Sequence, residues 1–193
     1  MEQRDEEIMM EYQSGKDPQA VSIIFFRYKS RVLNFCLRIL GNRADAEDVT
    51  GDVFLTLFSR QYAYDPKAKF STWLYTVARN RCIDRVRKRK NLVSVWFSSQ
   101  ESKEHKQWDI EDTEDLANDQ LAKREAASRV KRAIRQLPYE QREAVILREY
   151  HRLSYDEISQ ILNCSLEKVK ILIFRGRESL REQLKSFIEE ERR

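Results

Sequence analysis

Apolar residues recur every three or four positions along most of the chain, a spacing that predicts helices rather than strands. A short segment around Ile8 ends near Gly15, and a longer one runs from Gln19 to Leu40, where Gly41 is expected to stop it. The apolar positions of the longer segment are Ile23, Phe26, Val32, Phe35, Cys36 and Ile39. The pattern therefore predicts an all-α fold, with these side chains turned toward a core.

A third helix is predicted after Asn42, whose side chain can cap the first turn. The apolar stripe of this helix consists of Ala46, Val49, Val53, Phe54 and Leu57. Polar residues around Pro66 then indicate a loop, and a fourth helix is predicted from Lys69 to Lys90.

The fourth predicted helix reads KFSTWLYTVARNRCIDRVRKRK and combines aromatic rings with a cationic end. At 100° per residue, one face contains Phe70, Leu74, Val77 and Ala78, whereas the later apolar residues fall nearly opposite and split the stripe. These later residues are Cys82, Ile83 and Val86. One side of the helix is expected to carry Trp73, Asn80, Asp84 and Arg87. Between Arg79 and Lys90, seven basic residues stand against one acidic residue.

Three kinds of partner fit this helix: a membrane surface, an acidic protein groove and a nucleic acid. Aromatic rings stack on unpaired bases and cations follow phosphates, which favours a nucleic acid. A helix bound to a membrane needs an undivided apolar face, and the split stripe does not provide one. A purely structural explanation stays open, in which Trp73 lies in the core and the basic run is a solvated helix end.

Composition and charge divide the chain into three parts. The 193 residues are 41% hydrophobic and 35% charged, with only 4 Gly and 3 Pro, which is typical of long helices. The net charge of +4 is small, but eight acidic residues and only two lysines lie between Glu101 and Asp119. We predict two small helical domains, residues 1–91 and 121–193, joined by a flexible acidic linker over residues 92–120.

The C-terminal part contains a helix-turn-helix pattern in LSYDEISQILNCSLEKVKILIFRGRESL. Ser154 and Glu157 have the spacing of a capping box. Asn163 suits the left-handed conformation of a tight turn, and Ser165 can cap the next helix. The cations beyond the turn, which can neutralise phosphates, are Lys168, Lys170, Arg175, Arg177 and Arg181. The structural alternative is a helical hairpin that only packs.

Several classes of function lack support in the sequence. It contains no glycine-rich phosphate loop, no nucleophile–base set and no metal-ligand spacing, so we expect no enzymatic activity, no cofactor and no metal. Cys36, Cys82 and Cys164 are widely spaced and are predicted to be reduced core thiols. An acidic N-terminus and the lack of a long apolar run predict a cytoplasmic protein.

Three segments, in this order and at this spacing, resemble the sigma-70 family of transcription initiation factors. They are ADAEDVTGDVFLTLF, FSTWLYTVARNRCIDRVRKRK and LPYEQREAVILREYHRLSYDEISQILNCSLEKVKILIFRGRESLREQL. The resemblance is strongest to the short, two-domain extracytoplasmic-function (ECF) branch. It implies a sigma2-like helical bundle and a sigma4-like helix-turn-helix domain, joined by the acidic linker. The implied function is promoter-specific initiation of transcription in a bacterium.

The resemblance implies that the first domain captures the melted non-template strand of the −10 element. A base flipped from that strand sits in a pocket of the loop before the fourth helix, here Tyr62 to Lys69, and melting requires no ATP. The residues that the resemblance places at the −10 DNA are Tyr64, Lys69, Trp73, Asn80, Asp84, Arg85, Arg87 and Lys88.

The resemblance also implies protein partners. The segment around Asp45 to Phe58 is expected to dock on the β′ clamp of core RNA polymerase, and the second domain is expected to meet the β flap. The residues predicted for the clamp contact are Asp45, Asp48, Asp52 and Phe54. An anti-sigma factor is a further expected partner. No small-molecule substrate is expected, and the free protein is predicted to be a monomer.

The second helix of the helix-turn-helix is expected to enter the major groove at the −35 element. The predicted contacts are Ser165, Lys168, Lys170, Ile171, Leu172, Arg175 and Arg177. The chain departs here from the Pro-Gly-Thr that usually follows the turn serine in the family, because it has Leu166, Glu167 and Lys168. Ile171, Leu172 and Phe174 are left to face DNA, a partner or an enlarged core.

The apolar residues of this helix supply no phosphate charge, so we expect a weaker or more partner-dependent −35 contact. Two alternative functions stay open at this point. One is an adaptor that binds polymerase but has lost promoter reading. The other is a stand-alone helix-turn-helix regulator that binds duplex DNA as a dimer.

Overall fold

The computed structural model describes residues 3–59, 64–65, 69–97 and 119–191, and the regular structure in these ranges is entirely α-helical. The helices are α1 (Asp5–Gln13), α2 (Ala20–Leu40), α3 (Arg43–Phe58), α4 (Phe70–Phe97), α5 (Asp119–Gln136), α6 (Tyr139–Glu149), α7 (Tyr155–Leu162) and α8 (Leu166–Glu191). None of them, over its described residues, is long and apolar enough to cross a membrane. The prediction of an all-α fold is confirmed.

The chain divides into two compact units, Met1–Asp109 and Ile110–Arg193. In the first unit α2 packs against α1, α3 and α4, and in the second α8 packs against α5, α6 and α7. Helix α4 continues to Phe97, beyond the predicted domain boundary at residue 91. Most of the predicted linker, residues 98–118, lies outside the described residues.

Local signals define several helix ends. Gly41 ends α2 in the left-handed conformation with φ 71°, and the side chain of Asn42 accepts a hydrogen bond from the Asp45 N–H at 2.9 Å. At the start of α7, the Glu157 N–H donates to Ser154 Oγ at 3.2 Å, and the Ser154 N–H donates to Glu157 Oε2 at 2.7 Å. These predicted caps are confirmed, because each of them depends only on residues a few positions apart.

The predicted helix-turn-helix is formed by α7, a three-residue turn and α8. Asn163 adopts φ 51° and ψ 54°, the left-handed conformation that reverses the chain. Ser165 Oγ then accepts a hydrogen bond from the Lys168 N–H at 3.2 Å and caps α8. Ile158 and Val169 are fully buried where the two helices pack together.

The predicted inward face of α2 is confirmed for Val32, Phe35, Cys36 and Ile39, which are buried, but not for the first part of the helix. Ile23 is 44% exposed and Phe26 is 79% exposed, while their neighbours Val21 and Ile24 are buried. Positions 23–26 are all apolar, so more than one set of side chains with helical spacing could face the core. Packing against α1 and α3 buries the set that contains Ile24. The predicted inward direction of Ile23 and Phe26 is therefore wrong.

Helix α4 has a single buried face over its described side chains. Phe70, Leu74, Ala78 and Cys82 are all fully buried, so the predicted split of the stripe at Cys82 is wrong. Side chains four residues apart are rotated by only about 40° around the helix axis. The buried side therefore shifts gradually from Phe70 to Cys82, and the core is wide enough to cover all four side chains. The prediction of free thiols holds for all three cysteines, although Cys164 is only half-buried.

Two helical glycines differ in the space around them, and we expect opposite effects when each is replaced by alanine. A Cβ at Gly51 would meet no atom within 4 Å, whereas a Cβ at Gly176 would lie 2.6 Å from Cγ2 of Val145. Gly51→Ala should raise the free energy of unfolding by about 1 kcal/mol through helix propensity. Val145 is stiff and buried, so overpacking of about 1–3 kcal/mol should offset the same gain and lower stability in Gly176→Ala.

Urea unfolding of the two full-length variants beside the unchanged protein measures this difference. Each glycine serves as the control for the other, because the chemical change is identical. A Gly176→Ala protein as stable as the Gly51→Ala protein would contradict the close approach of α8 to α6.

Candidate nucleic-acid interface

The side of α4 opposite its buried face carries the polar residues predicted for base contacts. Asn80, Asp84 and Arg87 are exposed there, and Trp73 is half-buried at the N-terminal end of the same side. Asn80 and Asp84 lie four residues apart, so their side chains project about one helical turn from each other. The arrangement combines hydrogen-bonding groups with an aromatic ring on one surface, which suits unpaired bases.

Tyr64, in the loop before α4, belongs to an aromatic cluster. The ring of Tyr64 packs edge-on against Phe70 and Trp73, with ring centres 5.5 Å and 5.9 Å apart. Tyr64 is only 2% exposed, and this burial raises the pKa of its hydroxyl. The predicted DNA contact of Tyr64 does not match this position, because its ring already packs against two other rings. Residues 60–63 and 66–68 of the loop lie outside the described residues.

Cations extend the polar side of α4 at both ends. Lys69 is exposed just before the helix, and its carbonyl accepts a hydrogen bond from the Trp73 N–H at 3.2 Å. Arg87 and Lys88 are exposed near the other end. A strand lying along α4 would therefore meet positive charge on either side of Asn80, an arrangement suited to a phosphate backbone.

Arg85 joins the two surfaces that the sequence analysis treated as separate. Its guanidinium contacts Oδ1 of Asp45 at 2.7 Å and Oδ2 of Asp48 at 2.8 Å. The hydrogen bond to Asp45 is the main cause of the raised pKa of Arg85. Arg89 adds an ion pair at 2.9 Å to Oδ2 of Asp45, although that oxygen accepts no well-aligned hydrogen bond. Arg85 thus has carboxylate partners within the fold.

Asp45 and Phe54 do not lie where the predicted polymerase contact needs them. Asp45 is only 6% exposed and is covered by its arginine partners, and Phe54 is 2% exposed, with its ring centre 4.9 Å from that of Phe25. The prediction that these two side chains form part of a docking edge is corrected for this reason. Long-range pairing with α4 buries the carboxylate, and aromatic packing with α2 buries the ring.

The exposed face of α3 consists of small, apolar and acidic residues. Leu55 is 65% exposed and the Asp48 side chain is 63% exposed, and Gly51 and Asp52 are exposed beside them. Leu55 was not predicted as a contact from the sequence, although its position one residue after Phe54 turns it away from the apolar stripe. This face offers an apolar contact with carboxylates alongside, which suits a basic helix.

A shallow groove lies on the surface between α3 and α4. Its volume is about 180 Å³, and it is lined by Val49, Asp52, Arg81, Asp84, Arg85, Arg87 and Lys88. Four of these residues are cations and two are carboxylates, so the groove attracts an anionic backbone more than it repels it. Arg81, which sequence analysis did not select, lies here with its guanidinium 3.1 Å from the Thr56 hydroxyl.

The cations predicted for the −35 contact lie on α8, and two of them have carboxylate partners. Lys168 Nζ lies 2.9 Å from Glu140, and the Arg177 guanidinium lies 2.6 Å from Glu149. The hydrogen bond to Glu149 raises the pKa of Arg177. Lys170 and Arg175 are exposed, as is Ser165 at the N-cap. These pairs lie at the protein surface, where ion pairs contribute little and exchange readily for a phosphate.

The sequence did not decide the environment of three apolar residues of α8, and the structure shows that one is buried and two are exposed. Leu172 is 8% exposed and belongs to the core of the second unit, so its predicted contact with −35 DNA is wrong. Ile171 is 49% exposed and Phe174 is 66% exposed. Leu172 lies one helical turn from Val169 and Gly176, which face α6 and α7, and that phase turns it inward.

Two family models match the chain, one in each unit. Sigma-70 region 2 matches residues 24–92, and sigma-70 region 4 matches residues 127–180. The first match contains α3 and the basic part of α4, and the second contains the helix-turn-helix.

Individual proteins match over nearly the whole chain. The ECF RNA polymerase sigma factor SigW of Bacillus subtilis is 34% identical over 171 residues, which cover 88% of this chain and 91% of SigW. The RNA polymerase sigma-H factor of Pseudomonas aeruginosa is 26% identical, with 98% of each chain covered. The solved complex of the sigma factor RpoE with the anti-sigma factor NepR from Bartonella quintana has a similar fold, with a TM-score of 0.70 and 22% identity over 86% of this chain and 98% of that one.

Proposed function

The chain belongs to the ECF branch of the sigma-70 family, and from this membership we propose that it directs core RNA polymerase to promoters through two separate DNA contacts. Residues 1–91 would bind polymerase and the −10 element, and residues 121–193 would bind the −35 element. The observation that carries the proposal is the outward side of α4, where base-contacting groups and cations lie together.

At the −10 element, Asn80 and Asp84 would hydrogen-bond to bases of the opened non-template strand, and Trp73 would provide an aromatic surface for one of them. Unstacking a base costs a few kcal/mol. Stacking on an aromatic ring returns about 1–3 kcal/mol per base. Lys69, Arg87 and Lys88 would add phosphate contacts that stabilise the captured strand. Melting would then be driven by binding alone, with no chemical step and no ATP.

Arg85 would contribute to the −10 contact as a cation that the fold already holds in position. Because its guanidinium is held by Asp45 and Asp48, it keeps one position over the groove between α3 and α4. A cation already positioned loses less conformational entropy when it meets a phosphate. Tyr64 would act indirectly as well, because its packing under Trp73 supports the ring that faces the strand.

The exposed face of α3 would dock on the β′ clamp of core polymerase through Asp48, Asp52 and Leu55. Carboxylates beside an apolar side chain provide charge complementarity to a basic partner together with buried apolar area. The second unit would reach the β flap while α8 lies in the major groove of the −35 element, with Ser165, Lys168, Lys170, Arg175 and Arg177 contacting the backbone.

We further propose that the protein acts in the cytoplasm, is a monomer when free, and is held inactive by an anti-sigma factor. The solved complex of RpoE with NepR supports this last point through its similar fold. Family membership also supports a protein that is not an enzyme and requires no cofactor.

Run-off transcription with core RNA polymerase tests the proposal. Promoter fragments selected from the host genome are transcribed with and without the protein, and defined transcripts are expected only in its presence. Polymerase binding without transcripts would favour an adaptor. No binding to polymerase would overturn the proposal and favour an ordinary helix-turn-helix regulator.

A further inference from the structure

The orientation of α8 is defined by the side chains that it buries. Val169, Leu172, Ile173 and Gly176 face the core of the second unit. At 100° per residue, the line that points directly away from this core, within about 30°, contains Glu167, Ile171, Phe174 and Glu178. Ile171 and Phe174 therefore occupy the centre of the outward face of α8, at the place where a helix in the major groove meets base edges.

Both side chains of this apolar pair are largely exposed to solvent. Phe174 is 66% exposed and Ile171 is 49% exposed, and they are one helical turn apart. Apolar surface in water is unfavourable in proportion to its area, so nothing in the free fold is stabilised by placing these residues here. A surface that becomes buried in a complex explains their position better than the stability of the free chain.

Positive charge flanks the apolar pair on both sides. Lys170 and Arg177 lie about 70–90° to one side of the central line, and Lys168 and Arg175 lie about 70–90° to the other. The major groove of duplex DNA is about 12 Å wide and has a phosphate strand along each edge. The middle of the central line is apolar, with Glu167 before it and Glu178 after it, and the two rows of cations beside this apolar segment match that cross-section. A protein interface can also combine an apolar centre with a polar rim, but here all four flanking residues are cations, and duplex DNA presents negative charge along both edges of the groove, so this pattern favours DNA.

We propose that Ile171 and Phe174 read thymine methyl groups in the −35 element, which makes them determinants of promoter specificity. The inference rests on the proposed function of α8 as the −35 helix. The C5 methyl of thymine is the apolar feature that the major groove presents, and it packs against aliphatic and aromatic side chains. The two residues are separated by about 4.5 Å along the helix axis, which spans one to two base steps of about 3.4 Å.

Replacing thymine by deoxyuridine tests this inference, because deoxyuridine pairs identically and lacks only the methyl group. The holoenzyme, formed from the full chain and core polymerase, is bound to a promoter whose −35 segment contains thymine or deoxyuridine. We expect affinity to fall about fourfold for each contacted methyl group. The double variant Ile171→Ala/Phe174→Ala should bind the thymine promoter more weakly and should no longer distinguish the two DNAs.

The matched control is Ile23→Ala/Phe26→Ala, a pair with the same spacing and comparable exposure on α2. It should keep the full preference for thymine. Equal binding of both DNAs by the unchanged holoenzyme would overturn the inference. A preference that survives in Ile171→Ala/Phe174→Ala would also overturn it and would assign the pair to a protein partner. Absence of any transcript from the thymine promoter would overturn the proposed function itself, and the inference with it.

Discussion

Replacing Asn80 and Asp84 together by alanine is expected to reduce promoter-specific transcripts about a hundredfold, while binding to core polymerase stays unchanged. Each base-reading contact contributes about 1–3 kcal/mol, and 1.4 kcal/mol corresponds to a factor of ten. Both side chains are exposed and lie outside the core, so their loss leaves the packing of α4 intact. Run-off transcription and binding of a single-stranded −10 oligonucleotide measure the effect.

The control for this double variant is Asn34→Ala, an exposed asparagine on α2 in the same unit. It should support the same amount of transcript as the unchanged protein. Full transcription by the Asn80→Ala/Asp84→Ala protein would show that the outward side of α4 does not capture the strand. Strand capture would then have to be assigned to another part of the first unit, such as the loop before α4.

Asp52→Lys is expected to weaken binding to core polymerase about a hundredfold. The substitution places a cation where the proposed docking face of α3 presents a carboxylate to a basic partner, and like charges in close contact cost several kcal/mol. Leu55→Ala should weaken the same binding about tenfold, because it removes about 1–2 kcal/mol of apolar contact. Titration of labelled protein with core polymerase gives both affinities.

The matched control is Asp17→Lys, which makes the same change of net charge at an exposed position in the turn between α1 and α2. It should bind polymerase with unchanged affinity. The loss caused by Asp52→Lys should also shrink as the salt concentration rises, since exposed charges are screened. If Asp52→Lys and Asp17→Lys weaken binding equally, net charge rather than the α3 face governs the interaction.

The second unit was predicted well because its turn is encoded locally. The capping box at Ser154, the left-handed Asn163 and the cap at Ser165 all depend on hydrogen bonds within a few residues. Such interactions can be read directly from residue types and spacing. The helix-turn-helix therefore followed from the sequence, and the family model that matches residues 127–180 agrees with it.

The predictions of exposed and buried side chains that were wrong mostly concern apolar residues at adjacent positions. Ile23 and Phe26 were predicted to face the core, yet the buried phase of α2 contains Ile24 and Tyr28. Leu172 and Phe54 were predicted to contact partners, yet both are buried. A helix with apolar residues at neighbouring positions has more than one possible inward face, and periodicity alone does not choose among them.

The sequence by itself determined the helices, their caps, the helix-turn-helix and the family, because local hydrogen bonds and charge patterns act over a few residues. Only the tertiary structure decided which face of each helix is exposed and which charges are paired. Asp45 and Arg85 are forty positions apart, and their ion pair exists only because α3 packs against α4. The sequence left Ile171, Leu172 and Phe174 to face DNA, a partner or the core, and only the packing of α8 against α6 and α7 buried Leu172 and left the other two exposed.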